Sequence, residues 1–337
     1  MSLDDLITRM KAGDRRAVAR LITLAENDIE TAKEISLRIF KDTGKAYIIG
    51  VTGSPGSGKS TLTNQLISLL LNKGFSVGVI AVDPTSPFSG GALLGDRIRM
   101  KENYSKEKVF IRSMANRGQL GGIARATKDI IAILDAFGFD IIIIETVGVG
   151  QSEVDVYNTA HTTLVLVVPG MGDDIQTFKA GIMEICDIFV VNKMDHEGAD
   201  KLVNEIDSML DLNDRINVNH DAHDIEIVKG NEWRVPVVKT NALTGEGFEN
   251  LWAQVERHKI YLIDSGKMKQ KLMNRFRKEL LDILKEKFRV HIEEALDPDA
   301  NKGIYDLLER IIARLQSPYD ASDELSKLIL ELLNSGE

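Results

Sequence analysis

The chain has 337 residues, 43% of them hydrophobic, and a formal charge of −9. That length and apolar content suit one large core with helical appendages or two domains, and the acidic balance argues against a surface built for nucleic acid. The single cysteine excludes an internal disulfide, and no apolar run is long enough to span a bilayer.

The first residues, Met1-Ser2-Leu3-Asp4-Asp5, are acidic and lack a signal-peptide pattern, so a reducing, cytoplasmic setting is expected. Residues 3–42 read as helical. Leu6, Ile7 and Met10, then Val18, Leu21, Ile22 and Leu24, then Ile29, Ile35 and Ile39 recur at helical spacing, with a break at Gly13-Asp14. Lys41 to Lys45 reads as a linker, which makes residues 1–45 an N-terminal helical extension. From 46 to 256, strand candidates at 46–51, 76–82, 109–113, 140–145, 163–168, 187–191 and 235–239 alternate with helical stretches at 60–72, 119–137, 175–185, 199–211 and 246–256. The strands are rich in Val and Ile and often apolar on successive residues. Strands buried on both faces read this way, so the expected fold is an α/β P-loop sandwich with a mainly parallel sheet. Cys186 lies in an apolar segment and reads as a small core residue. Beyond 257 the strand signals stop. A long charged helix is expected over 268–296, ended by Pro298, with shorter helices near 301–315 and 320–334. Leu272, Phe276, Leu280, Ile283, Leu284 and Phe288 fall on one side of the long helix, a face that can pack on its own domain or on a second subunit. Residues 257–337 therefore form a C-terminal helical arm.

Residues 53–60, Gly-Ser-Pro-Gly-Ser-Gly-Lys-Ser, match the phosphate-loop pattern G-x-x-x-x-G-K-[ST] at every fixed position. A strand leads in and a helix leads out, which is the context that motif requires. Nucleoside triphosphate binding is expected. Gly53, Gly56 and Gly58 permit backbone conformations that a Cβ opposes. Those conformations turn N–H groups inward, and the helix start adds a favourable dipole. Lys59 is expected to reach the β- and γ-phosphates and Ser60 to supply a hydroxyl to Mg²⁺. Ser54, Pro55, Ser57 and Thr61 complete the candidate phosphate site.

Asn192-Lys193-Met194-Asp195 follows the strand at 187–191 and matches N-K-x-D. A carboxylate at Asp195 accepts from guanine N1–H and the exocyclic N2 amine together. Adenine would leave it unpaired, at a cost on the order of a few kcal/mol, so GTP is favoured over ATP. Lys193 is expected along the base plane, and Asn192 is expected to tie this loop to the phosphate loop. Thr240-Asn241-Ala242-Leu243 follows the strand at 235–239, where GTPases place a Ser-Ala-x turn whose backbone amide meets guanine O6. Asn241 stands at the first position. It keeps a polar side chain, so the turn is expected to persist. Gly245 and Gly247 then lead into the next helix.

Asp83 ends the strand at 76–82, and Asp96 follows a segment with little apolar content that suits a mobile switch. Both carboxylates are candidates to approach Mg²⁺ or its waters, although Asp83 can equally serve as a cap or turn residue. Glu145-Thr146-Val147-Gly148 occupies the Walker-B place, with Glu where small GTPases carry Asp, and Gly148 N–H is expected at the γ-phosphate. Lys59, Glu145, Asp83 and Asp96 are the catalytic candidates; Ser60, Asp83, Asp96 and Glu145 are the metal candidates. Val149 stands where Ras-like proteins carry the Gln that orients water. Slow intrinsic hydrolysis, raised by a partner or by dimer formation, is the expectation. Asp173, Asp174 and Lys179 suggest a third mobile element, or a helix start capped by acids.

Gly53–Ser60, Val82–Ser86, Gly95–Met100, Arg117–Gly122 and the block Glu-Thr-Val-Gly-Val-Gly-Gln-Ser-Glu at 145–153 together resemble the MeaB/ArgK family, the methylmalonyl-CoA mutase-associated GTPases of the SIMIBI class. The resemblance implies a homodimeric GTPase with an N-terminal helical extension and a C-terminal dimerisation arm. It also implies a chaperone that gates adenosylcobalamin loading of a cobalamin-dependent acyl-CoA mutase and protects it from inactivation. Asn241 departs from the Ser usual in that family. A nickel-delivery GTPase would need a Cys/His cluster, for which His220 and His223 have weak spacing. A small-molecule or transport-associated kinase would use Arg97, Arg99, Arg117 or Arg125 around an acceptor, but N-K-x-D is uncommon there. A nucleotide-gated interaction module with incidental hydrolysis is the remaining alternative.

Overall fold

A computed structural model of the chain describes residues 2–83, 106–115, 122–146, 158–170, 185–220, 232–296 and 303–334. Three helices come first: α1 (Leu3–Lys11), α2 (Arg15–Asn27) and α3 (Ile29–Ile39). Side-chain caps set their starts. Ser2 accepts from Asp5 N–H, Asp14 from Arg16 and Ala17 N–H, and Asp28 from Thr31 N–H. Asp28 therefore breaks the expected run a second time, because its carboxylate takes the amide that would otherwise begin α3 unsatisfied. Among the described residues no helix is long and apolar enough to cross a membrane.

Seven strands follow: β1 (Tyr47–Gly53), β2 (Val77–Asp83), β3 (Val109–Ala115), β4 (Ile141–Thr146), β5 (Thr162–Val167), β6 (Ile188–Val191) and β7 (Val237–Lys239). They form one sheet in the order β3-β2-β4-β1-β5-β6-β7, and every described pairing is parallel. The expected α/β sandwich is present. Between the strands run α4 (Lys59–Asn72), α5 (Gly122–Phe137), α6 (Ala199–His220) and α7 (Phe248–Asp264). The helix expected over 175–185 falls, but for its last residue, outside the described set.

The continuous apolar strands feed two cores. Ile142 and Ile144 of β4 turn to one face with Ile48, Ile80 and Phe110, where α5 and α1–α3 cover them. Ile141 and Ile143 turn to the other with Ile49, Val51 and Leu164, under α4 and α7. The N-terminal helices are thus a layer of the sandwich rather than a loose appendage. Polar seams hold them there. The buried Asp135 of α5 accepts from the successive amides of Gly44, Lys45 and Ala46 at 2.6, 3.1 and 2.9 Å, which fixes the expected linker into β1. Arg15 donates to the carbonyls of Lys106, Glu107 and Val109, and Arg112 pairs with Glu26.

The helix expected to end at 256 does not stop there. α7 continues to Asp264, with His258 and Leu262 buried, and Ser265-Gly266 ends it. One compact unit comprises Met1–Lys269 and a second Gln270–Glu337. α8 (Lys267–Leu296) runs into the second unit, which also holds α9 (Gly303–Ile312) and α10 (Pro318–Asn334). Ile304 and Leu307 of α9 pack on Ala321 of α10. α8 exposes Phe276, Leu280, Leu284, Phe288 and Ile292 along its length.

Candidate nucleotide site

Parallel strands end on one edge of a sheet, and ligands in open α/β folds gather at that carboxyl edge. β1 delivers the phosphate loop there. Gly53 has φ +142°, and a Cβ on it would lie 2.3 Å from the carbonyl oxygen of Leu166 in β5, so only glycine seats the loop against that strand. Gly58, at φ +93°, precedes α4 without a side-chain cap. The first amides of α4 are therefore left for an anionic ligand. Lys59 is buried, and its ammonium donates to the carbonyls of Gly53 at 2.6 Å and Ser54 at 2.9 Å.

Register brings Glu145, the Walker-B candidate, beside this loop. β1 pairs with β4 so that Val51 stands opposite Glu145. Glu145 is only 1% exposed, and its Oε1 accepts from Ser60 Oγ at 2.5 Å. Serine hydroxyl and carboxylate make an all-oxygen donor pair, which suits a hard divalent cation such as Mg²⁺. Asp83 closes β2 beside β4; its side chain and that of Arg125 on α5 lie outside the described set, as do Asp96, Arg97, Arg99, Arg117, Gly148, Val149, Asp173, Asp174, Lys179 and His223 altogether. Among the described residues no group of three or more His, Cys, Asp or Glu could hold a metal ion. Cys186 is buried, and that burial pushes its thiol well above the ordinary range, which suits a core residue.

One asparagine joins the loops that follow β6 and β7, the base-reading candidates, to the phosphate loop. Asn192, 2% exposed at the end of β6, donates from Nδ2 to Ser57 O at 2.9 Å. Its Oδ1 accepts from Ala242 N–H at 3.1 Å and Thr240 Oγ at 3.3 Å. The tie expected from the sequence is present, and it reaches a third loop as well. A Cβ on Gly58 would lie 2.6 Å from Asn192 Nδ2 and would push against this tie, and the φ of +93° itself favours glycine there. Lys193 adopts φ +57°, a left-handed conformation uncommon for a side-chain-bearing residue. That bend lets Met194 N–H donate to Thr240 O at 3.1 Å.

Asp195 follows, with 57% of its side chain exposed and Oδ1 accepting from Asn241 Nδ2 at 2.9 Å. Asn241 Oδ1 in turn accepts from Leu243 and Thr244 N–H at 3.0 and 3.3 Å. The turn expected after β7 is kept, as an Asx turn. Leu243 projects with 86% exposure, a large apolar side chain that a flat ligand beside Asp195 can cover. Gly247, at φ +84°, returns the chain so close to β7 that a Cβ would lie 2.1 Å from Lys239 O. Two contributors escaped the sequence reading: the Thr240 hydroxyl and the amide of Asn241 as a partner of Asp195. Both depend on the loops after β6 and β7 meeting in space, for which the sequence carries no local signal.

The family model described as "Methylmalonyl Co-A mutase-associated GTPase MeaB" matches residues 18–297. The chain belongs to the MeaB family. Its relatives span bacteria, archaea and animals. A Pyrococcus abyssi protein named as a GTPase is 49% identical over 331 residues, 97% of each chain. The methylmalonic aciduria type A homolog of Mus musculus, a mitochondrial protein, is 30% identical over 96% of this chain and 79% of its own. A crystal structure of a LAO/AO transport system kinase superposes with a TM-score of 0.68 at 26% identity, covering 97% of both chains. MeaB-family membership makes the chain a P-loop GTPase.

Proposed function

We propose that this MeaB-family GTPase is a nucleotide-gated chaperone that controls adenosylcobalamin loading of an acyl-CoA mutase, methylmalonyl-CoA mutase in the first instance. The observation that carries the nucleotide half is the Asn192 relay, which joins Ser57 of the phosphate loop to Ala242 of the base turn and so couples phosphate state to base loop. The family's own description and the name of the mouse relative support the mutase half. In this reading the loop Gly53–Thr61, through its backbone N–H groups (Pro55 has none), Gly148 N–H and Lys59 hold the phosphates, while Lys193, Asp195, Asn241, Ala242 and Leu243 hold guanine. Ser60 and Glu145, with Asp83 and Asp96, would hold Mg²⁺, which supplies charge neutralisation between the phosphates. Nothing at Val149 can orient water, so intrinsic turnover is slow and the client raises it. The second copy of a cytoplasmic homodimer docks through the arm, whose apolar stripe on α8 supports that role.

GTP turnover by the full chain, alone and with an adenosylcobalamin-dependent mutase, tests this. The expected result is a rise of at least about tenfold with the mutase, a floor beneath the roughly 10³-fold or more that a supplied catalytic group gives. Equal rates with and without the mutase would leave a GTPase without this client.

A further inference from the structure

The turn after β7 carries Asn241, and its side chain does two things at once. A serine hydroxyl has one donor; an asparagine amide has donor and acceptor ends on separate atoms. The acceptor end is committed, because Oδ1 takes the N–H groups of both Leu243 and Thr244. That assigns the amide orientation, since the opposite flip would set the NH₂ against two backbone donors and Oδ1 against a carboxylate. The donor end is thereby aimed at Asp195, 2.9 Å away. Asp195 is more than half exposed, and its other oxygen has the His196 ring 4.0 Å away. A carboxylate so placed is a broad two-fold rotor unless something holds its plane.

We infer that Asn241 is a positioning residue that sets base specificity, holding the Asp195 carboxylate in the plane where both oxygens meet guanine together. This rests on the reading of the pocket as a guanine-nucleotide site. A freely rotating carboxylate can still follow one donor, N1–H. Meeting N1–H and the N2 amine at once requires the plane to be fixed. Loss of Asn241 therefore falls on the N2 amine, and hypoxanthine, which lacks that amine, hardly notices it.

The test is competition binding of GDP, IDP and ADP to the full chain and to the variants Asn241→Ala, Asn241→Ser and Asn241→Asp, with Asp195→Asn as a control. Asn241→Ala should lower the GDP-to-IDP preference by about tenfold, chiefly by weakening GDP, the scale of one hydrogen bond to a charged partner. Asn241→Ser should restore part of it, since a hydroxyl can still donate to Asp195. Should the alanine variant fail to fold, Asn241→Asp keeps the acceptor for Leu243 and Thr244 and opposes Asp195 with an oxygen, so it should lose the preference too. An unchanged preference in the alanine or aspartate variant overturns the inference, as does an equal loss of GDP and IDP, which would assign Asn241 to the turn alone. Failure of the underlying reading looks different: wild-type protein binds ADP as well as GDP, or Asp195→Asn leaves the preference unmoved.

Discussion

Strand β6 carries an aspartate at each end, Asp187 just before it and Asp195 shortly past it, and the two sit in opposite surroundings. Asp187 is buried at the amino edge of the sheet. Its Oδ2 accepts from Thr163 N–H at 2.8 Å, its Oδ1 lies 3.3 Å from His258 Nε2, and its backbone carbonyl accepts from Trp233 Nε1 at 2.8 Å. His258 carries the chain on to Thr162 Oγ at 2.8 Å and from there to the Tyr47 hydroxyl at 2.6 Å. Burial pushes the Tyr47 hydroxyl above its ordinary range, so it stays protonated through neutral pH. His258 of α7 is the link that joins the two halves of this buried chain. At the carboxyl edge Asp195 is held by one oxygen and exposed to solvent. Burial and hydrogen bonding alone thus mark architecture; a carboxylate held in orientation yet left open marks a place for a ligand.

Exchanging the fates of the two aspartates should separate those roles. Asp187→Ala should give the largest effect, about 3–5 kcal/mol of lost stability in urea unfolding, because it strands His258 and the Thr163 amide in the core. The fraction that folds should keep its preference for guanine. Asp195→Ala should do the reverse: unfolding changes by less than about 1 kcal/mol, as for an exposed site, while guanine-over-adenine discrimination in nucleotide binding drops by more than about tenfold. A large stability loss at Asp195 would erase the contrast. The smallest effect concerns Cys186, beside Asp187 on the buried side. With its thiol pushed up by burial, little thiolate forms at pH 8, so iodoacetamide should leave native protein unlabelled and modify it only after unfolding.

The open end of β6 was far more legible in the sequence than the closed one. The phosphate-loop and N-K-x-D patterns fix particular residues at set spacing, so the candidates Gly53–Ser60 and Asn192–Asp195 announce themselves locally. The parallel sheet was legible for a similar reason, since strands buried on both faces lose their alternation. The network of Tyr47, Thr162, Asp187 and His258 was not, because its members are scattered along the chain and each alone resembles an ordinary polar residue. The true end of α7 could have been read from Val255 and Leu262 continuing the period up to Ser265-Gly266, yet the loss of strand signals after 256 invited an early boundary. The second break in the N-terminal helices was available in Asn27-Asp28, whose capping chemistry was hidden by an unbroken apolar period. The grip of Asn241 on Asp195 depends on two turns meeting in space, which spacing along one chain does not disclose.

The ammonium of Lys59, folded onto the carbonyls of Gly53 and Ser54, changes how arrival of a polyanion should be pictured. A lysine in water must shed part of its hydration before it can face a phosphate. Here those waters have already been replaced by peptide dipoles of the loop that it serves. Stripping the cation belongs to folding rather than to capture, and an incoming phosphate meets a charge whose solvent shell is protein.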